Sequence, residues 1–300
     1  VAIHQPWQFG PLLRLFGGVV VCVFLGTVLA LALRYPAQGI EQPITFGLLL
    51  VGAGGSLLGA LWMVSSPWPL QGVRLRSFTF VSLVYVGILL SAVGQKLAGE
   101  PLAGTEALQL AITTLSFQGA VLILARRLVY EHGLRWGEAF GLNHHWPRAV
   151  LFGFLSAFSI LPVAWGFQVI SLKIMTVLGL DPEVQHAVNI FNLTDAWSDR
   201  LVLGVVALVL APVSEEILFR GILYPALKGL GFPRSAFWTT AILFSLIHFN
   251  TATFLPLLAF ACLLNALYEW TGNLLSCMVA HTSFNAVNLI MLMVLKKFFE

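Results

Sequence analysis

Apolar stretches of about twenty residues alternate with short polar or charged breaks along the chain. A transmembrane helix needs roughly 20 such residues, so the pattern predicts a bundle of spanning helices. The first candidates are 15–33, bracketed by Arg14 and Arg34, then 44–64, 77–95 and 107–125. Gly55 and Gly59 in the second stand at the spacing that lets helices pack closely. The polar stretch 126–148 reads as a solvated connector, although His132, His144 and His145 lie in it. A fifth span covers 149–172. The segment 173–200 carries Asp181, Glu183, Asp195 and Asp199 and reads as an exposed loop with a short amphipathic helix. The remaining candidates are 201–228, 234–248, 252–270 and 274–295. The predicted fold is therefore an all-α, polytopic transmembrane helix bundle of eight or nine spans. Residues 1–148 form an N-terminal region of about four helices and a polar loop, and 149–300 a second region.

Composition strengthens this reading. The 300 residues are 58% hydrophobic and only 10% charged, with a mean hydropathy of +0.89. A soluble domain carries about 25% charged residues. The formal net charge of +3 is too small to argue for a nucleic-acid partner; the basic residues serve better as topology markers. With the N-terminus cytoplasmic, Arg74, Arg76, the 126–148 loop, Lys228 and Arg234 fall on one side, as the positive-inside rule asks. Lys296 and Lys297 fit that count poorly. The three cysteines, Cys22, Cys262 and Cys277, lie in apolar runs without CxxC spacing, which excludes a disulfide framework or thiolate zinc site as the organising feature. The first apolar run has no small-residue cleavage motif and is read as a span rather than a cleaved leader.

Ala-Pro-Val-Ser-Glu-Glu-Ile-Leu-Phe-Arg-Gly (211–221) departs most sharply from the apolar pattern. Ionisable groups at membrane depth are costly and mark functional sites. Glu216 and Arg220 stand at i and i+4, the favourable order for an ion pair. Glu215 points about 100° away and has no base at i+3 or i+4, which leaves it free for chemistry. Pro212 just before them should kink or restart the helix and free backbone carbonyls. Further along, Phe244 and His248 close the seventh helix, and His281 and Asn285 share a face of the ninth. Counted from the turns, Glu215 and His248 sit about 20 Å from the 229–233 turn and His281 about 10 Å from the 271–273 turn. A lone histidine or amide in a membrane helix serves equally well as interhelical glue. An acid, two histidines and an amide on three helices together match the parts needed for water-activated hydrolysis.

Glu-Glu-x-x-x-Arg (215–220), Phe-x-x-x-His (244–248) and His-x-x-x-Asn (281–285) resemble the motifs of the CAAX protease and bacteriocin-processing family, also called CPBP or Abi. The flanks Ala211-Pro212, Phe219, Gly221, Tyr268 and Thr271-Gly272-Asn273 agree, and the resemblance covers about 149–295. It implies an intramembrane endopeptidase of the cell membrane acting on a membrane-associated peptide or protein near the cytoplasmic face. By the same resemblance, Glu215 with His248 activates the attacking water. His281 and Asn285 polarise the scissile carbonyl and hold the oxyanion, while Glu216 and Arg220 fix their helix and Phe244 supports the site. We read the site without a metal or other cofactor. Zinc held by Glu215, His248 and His281 is the alternative, although His-Glu-x-x-His is absent from the sequence. A non-proteolytic scaffold or immunity protein of the same fold, or a transporter, are the competing functions.

Overall fold

The computed structural model describes residues 7–34, 106–182, 188, 191 and 197–299. Every regular element among them is helical. The expected spans 44–64 and 77–95 lie outside the described residues. Contacts divide the chain into two units, one of residues 8–131 and one of residues 1–7 with 132–300.

In the first of these, α1 (Phe9–Arg34) packs along α2 (Glu106–Glu131). Gly18 lets the two approach, since a Cβ there would meet Leu124 Cδ1 at 2.7 Å. Arg14 and Arg127 both bind Glu131, at 2.8 and 2.9 Å.

The second unit begins with the short α3 (Trp136–Ala139) and the 32-residue α4 (Trp146–Val177). At 1.5 Å per residue α4 is about 48 Å long, well beyond a hydrocarbon core of about 30 Å. Its outer face exposes Leu151, Phe154, Leu155 and Phe158, side chains suited to lipid rather than water. Its inner face carries Gly153, where a Cβ would come within 2.4 Å of the Ser276 carbonyl oxygen. α4 and α8 (Leu274–Phe299) therefore meet backbone to backbone at that point.

Helix α5 (197–229) is the spine of the unit, and it is not a uniform α-helix. It runs as Trp197–Val205, a π segment Val206–Leu210, an α segment Ala211–Glu216, a second π segment Ile217–Leu223, and a last α segment Tyr224–Gly229. Each π segment is followed, two residues on, by a proline: Pro212 and Pro225. Proline has no N–H and its ring collides with the carbonyl four residues back. The wider π turn relieves that collision, so the chain passes both prolines without breaking. Ala211 and Tyr224 accordingly donate five residues back, to Val206 and Phe219.

The carbonyls that the prolines cannot serve are capped from elsewhere. Leu208, four before Pro212, accepts from Thr282 Oγ1 at 2.8 Å, and Ala207, five before it, from Asn285 Nδ2 at 2.9 Å. Gly221, four before Pro225, accepts from Trp7 Nε1 at 3.2 Å. An unpaired carbonyl away from water costs about 1–3 kcal/mol, which these three bonds avoid.

α6 (Pro233–Leu246) and α7 (Phe254–Thr271) complete the bundle with α8. The α7–α8 turn is tight. Gly272 takes φ +61°, Thr271 Oγ1 meets Ser276 Oγ at 2.8 Å, and Asn273 binds the Leu275 N–H and the His144 carbonyl at 2.9 and 2.6 Å.

Among the described residues five helices are long and apolar enough to cross a membrane: Phe9–Thr27, Trp146–Val177, Arg200–Gly229, Phe254–Thr271 and Leu274–Val294. The expected seventh span differs. α6 has only 14 residues, about 21 Å, and stops at Leu246, so His248 stands in the turn beyond the helix rather than on its last turn.

Candidate active site

The α segment between the two π turns carries Glu215 and Glu216, and the second π segment carries Arg220. All three side chains are buried. Arg220 spends its donors on three partners: Nη1 on Glu216 Oε1 at 3.0 Å, Nε on Asn265 Oδ1 at 3.0 Å, and Nη2 on the Ala261 carbonyl at 3.2 Å. Its guanidinium lies 4.4 Å from the Phe244 ring centroid. A buried guanidinium needs this degree of satisfaction. Asn265 in turn donates to the Phe237 carbonyl at 2.9 Å, tying α5, α6 and α7 together.

His281 reaches the same cluster from α8. Its Nδ1 lies 2.8 Å from Glu216 Oε1, the oxygen that Arg220 also holds. Its Nε2 faces Glu215 Oε2 at 4.0 Å. Glu215 Oε2 has no hydrogen-bond partner although it is buried. Glu216 Oε2 is likewise buried without a partner, but Glu215 Oε2 is the one that faces an imidazole nitrogen, which makes it a candidate for chemistry.

Residues 197–287 match the family described as Type II CAAX prenyl endopeptidase Rce1-like. The resemblance to the CPBP family is shown over this segment. All of Glu215, Glu216, Arg220, Phe244, His248, His281 and Asn285 lie within it. Together with its apolar helices, this makes the chain a multi-pass membrane protein. It is also 37% identical over 83 residues to a Bacillus subtilis (strain 168) protein named "Uncharacterized protein YpbD", a stretch of 26% of this chain and 40% of that relative. The chain thus spans less than half the length of that curated relative. No solved structure matches it.

The other residues of the Rce1-like segment stand around this cluster in different ways. His248 is joined to it through an aromatic ring: Phe244 lies between the two histidines, 5.0 Å from the His248 ring and 5.7 Å from the His281 ring. His248 Nδ1 is 2.8 Å from the Phe244 carbonyl. A carbonyl only accepts, so Nδ1 carries the proton and Nε2 is the free acceptor. Asn285 lies one turn beyond His281 and gives one N–H to the Ala207 carbonyl at 2.9 Å, leaving the second unassigned. Phe260 closes the other side of His281, ring to ring at 5.4 Å.

The i,i+4 pair Glu216–Arg220 expected from the sequence is present, but as part of a longer chain through His281 and Asn265. Asn265 escaped notice in the sequence. Its only signal is an amide inside the otherwise apolar run of α7. Thr282 escaped for the same reason, since a threonine in a membrane helix ordinarily bonds its own helix.

Among the described residues no three His, Cys, Asp or Glu side chains are grouped so as to hold a metal ion. Glu215, His248 and His281 do not fit a three-ligand zinc site as placed.

Proposed function

We propose that this protein is an integral membrane endopeptidase of the CAAX type, which hydrolyses a peptide bond of a membrane-associated substrate by activating a water molecule. The observation that carries this reading is the open, buried Glu215 Oε2 facing His281 Nε2 at 4.0 Å. Residues 149–300 would form the protease core, in the cell membrane with the site near the cytoplasmic face and the N-terminus cytoplasmic.

In this mechanism Glu215 accepts the proton of a bound water, with His248 Nε2 as a second acceptor that orients it. The hydroxyl adds to the scissile carbonyl. His281, protonated on both nitrogens, offers Nε2–H to the oxyanion while the Glu216 carboxylate at Nδ1 offsets its charge. The free N–H of Asn285 is the second donor, its amide plane held by the bond to Ala207. Collapse expels the amine, to which Glu215 returns the proton. No metal enters the cycle.

The test is peptide hydrolysis by the purified full chain in detergent or vesicles, using farnesylated peptides that end in a CAAX sequence and unprenylated controls. Cleavage by the wild type and not by Glu215→Gln supports the proposal. A Glu215→Gln variant as active as the wild type ends it. Binding of peptide without any cleavage would favour the scaffold reading.

A further inference from the structure

A second concave site lies at the far end of the α5–α6 hairpin. Tyr224 and Lys228 from α5, Pro233, Arg234 and Trp238 from α6, and Glu269 from α7 line a cavity of about 470 Å³. Ligand pockets measure about 300–1,000 Å³, so it is large enough for a small headgroup.

Its charges do not cancel. Glu269 Oε1 accepts from Tyr224 Oη at 2.6 Å and from Lys228 Nζ, so one acid and one base neutralise each other. Lys228 also lies 5.8 Å from the Tyr224 ring centroid, which fixes its direction. Arg234 is exposed and has no hydrogen-bond or ion-pair partner among the described residues. The cavity therefore keeps one uncompensated guanidinium. Arg234 stands in the first turn of α6, where the positive end of the helix dipole adds to its charge.

The hairpin tip beside it is apolar and exposed. Leu230, Phe232 and Trp238 are 67%, 66% and 55% exposed around the hairpin tip. Two of the three helices that line the cavity, Arg200–Gly229 and Phe254–Thr271, are long and apolar enough to span. Exposed large apolar side chains, a tryptophan and paired bases at a helix end are the composition of a headgroup-level belt. A ligand there needs an anionic head for Arg234 and an apolar body for Trp238 and Phe237. A guanidinium presents a planar fork that matches phosphate oxygens two at a time.

We propose that this cavity binds a phosphate group, that of an anionic phospholipid, with Arg234 as its ligand. The site is separate from the residues assigned to hydrolysis and does not depend on that assignment.

The full chain, purified in detergent, is titrated with phosphatidylglycerol and separately with phosphatidylcholine, and retained lipid is counted by native mass spectrometry beside the melting temperature. Phosphatidylglycerol should bind in preference, and Arg234→Gln should weaken it about fivefold, the factor one basic residue contributes near an anionic surface. Arg234→Lys should weaken it less. Arg148→Gln, an exposed base on α4, should leave it unchanged. Displacement by millimolar inorganic phosphate would assign the site to a free anion. Persistence of phosphatidylglycerol against it would assign the site to the lipid. Equal affinity for both lipids, or an Arg234→Gln variant that binds phosphatidylglycerol as the wild type does, overturns the proposal. Arg234 is exposed, so its variants should melt within a few degrees of the wild type, a range about equal to the effect of a 1 kcal/mol change.

Discussion

His281 Nδ1 and Glu216 Oε1 are 2.8 Å apart, across two helices whose residues are 65 positions apart in the chain. The same oxygen receives Arg220. Glu216 is thus the joint between the base that anchors α5 and the histidine that faces Glu215.

Replacing Glu216 by Ala strands a buried arginine and releases His281. Breaking one half of a buried ion pair costs about 3–5 kcal/mol, so Glu216→Ala should lower the melting temperature in detergent by many degrees. The double variant Glu216→Leu with Arg220→Met removes both charges and should recover much of that loss. It should not recover hydrolysis, because His281 remains unheld. A double variant as active as the wild type would show that the joint plays no part in the chemistry.

Glu215 has the opposite profile. Glu215→Gln keeps shape and volume and removes only the proton acceptor. A positioned general base contributes about 10²–10⁴-fold, so turnover should fall by at least that factor while the melting temperature holds. A parallel collapse of stability would mark Glu215 as a structural acid.

Thr282 and Asn285 separate capping from catalysis. Each covers one carbonyl around Pro212. Thr282→Val should cost about 1–3 kcal/mol by uncovering Leu208 and leave the catalytic rate of folded protein nearly intact. Asn285→Leu should cost a similar stability and abolish activity as well. Equal losses of activity in the two variants would reduce Asn285 to a cap.

Metal removal gives a direct reading. Treatment with EDTA or 1,10-phenanthroline, followed by desalting, should leave peptide hydrolysis unchanged. Loss of activity restored by added zinc would overturn the metal-free form of the mechanism.

One pH effect belongs to α1 and α2. Burial pushes the Glu131 carboxyl up, but the hydrogen bonds and charges of Arg127 and Arg14 together outweigh it and hold the group below its ordinary 4.5. A carboxylate with a lowered folded pKa stabilises above its unfolded value, and that stabilisation is lost as pH falls through the folded value. Both arginines are partly exposed, so the effect is about 0.2–1 kcal/mol. Once the intrinsic slowing of exchange in acid is divided out, the protection of the α1 and α2 amides should fall slightly in acid in the wild type, and Glu131→Gln should not show this dependence.

The sequence made the helical class and the acid-rich turn legible because both rest on local patterns: runs of apolar residues, and acids and a base at helical spacing. Glu216–Arg220 is such a pattern, and it stands. What joins Glu216 to His281 is the pairing of α5 with α8, and no periodicity within either helix announces it. The disruption expected at Pro212 was legible as a fault in backbone bonding. The donors that repair it, Thr282 and Asn285, sit more than seventy residues away. His248 was expected on a helix because an apolar run continues to Ile247. The chain leaves the helix at Leu246 and then places Phe249 at φ +47°, which no hydrophobicity pattern encodes.

The bond from Trp7 to the Gly221 carbonyl joins residues 214 positions apart. Ribosomes add about 5–20 residues per second, so the indole exists roughly 10–40 s before its acceptor does. During synthesis this bond cannot form until Gly221 has been made. The second π segment of α5 therefore gains its indole cap only after that delay, and Trp7→Phe would leave the Gly221 carbonyl without it.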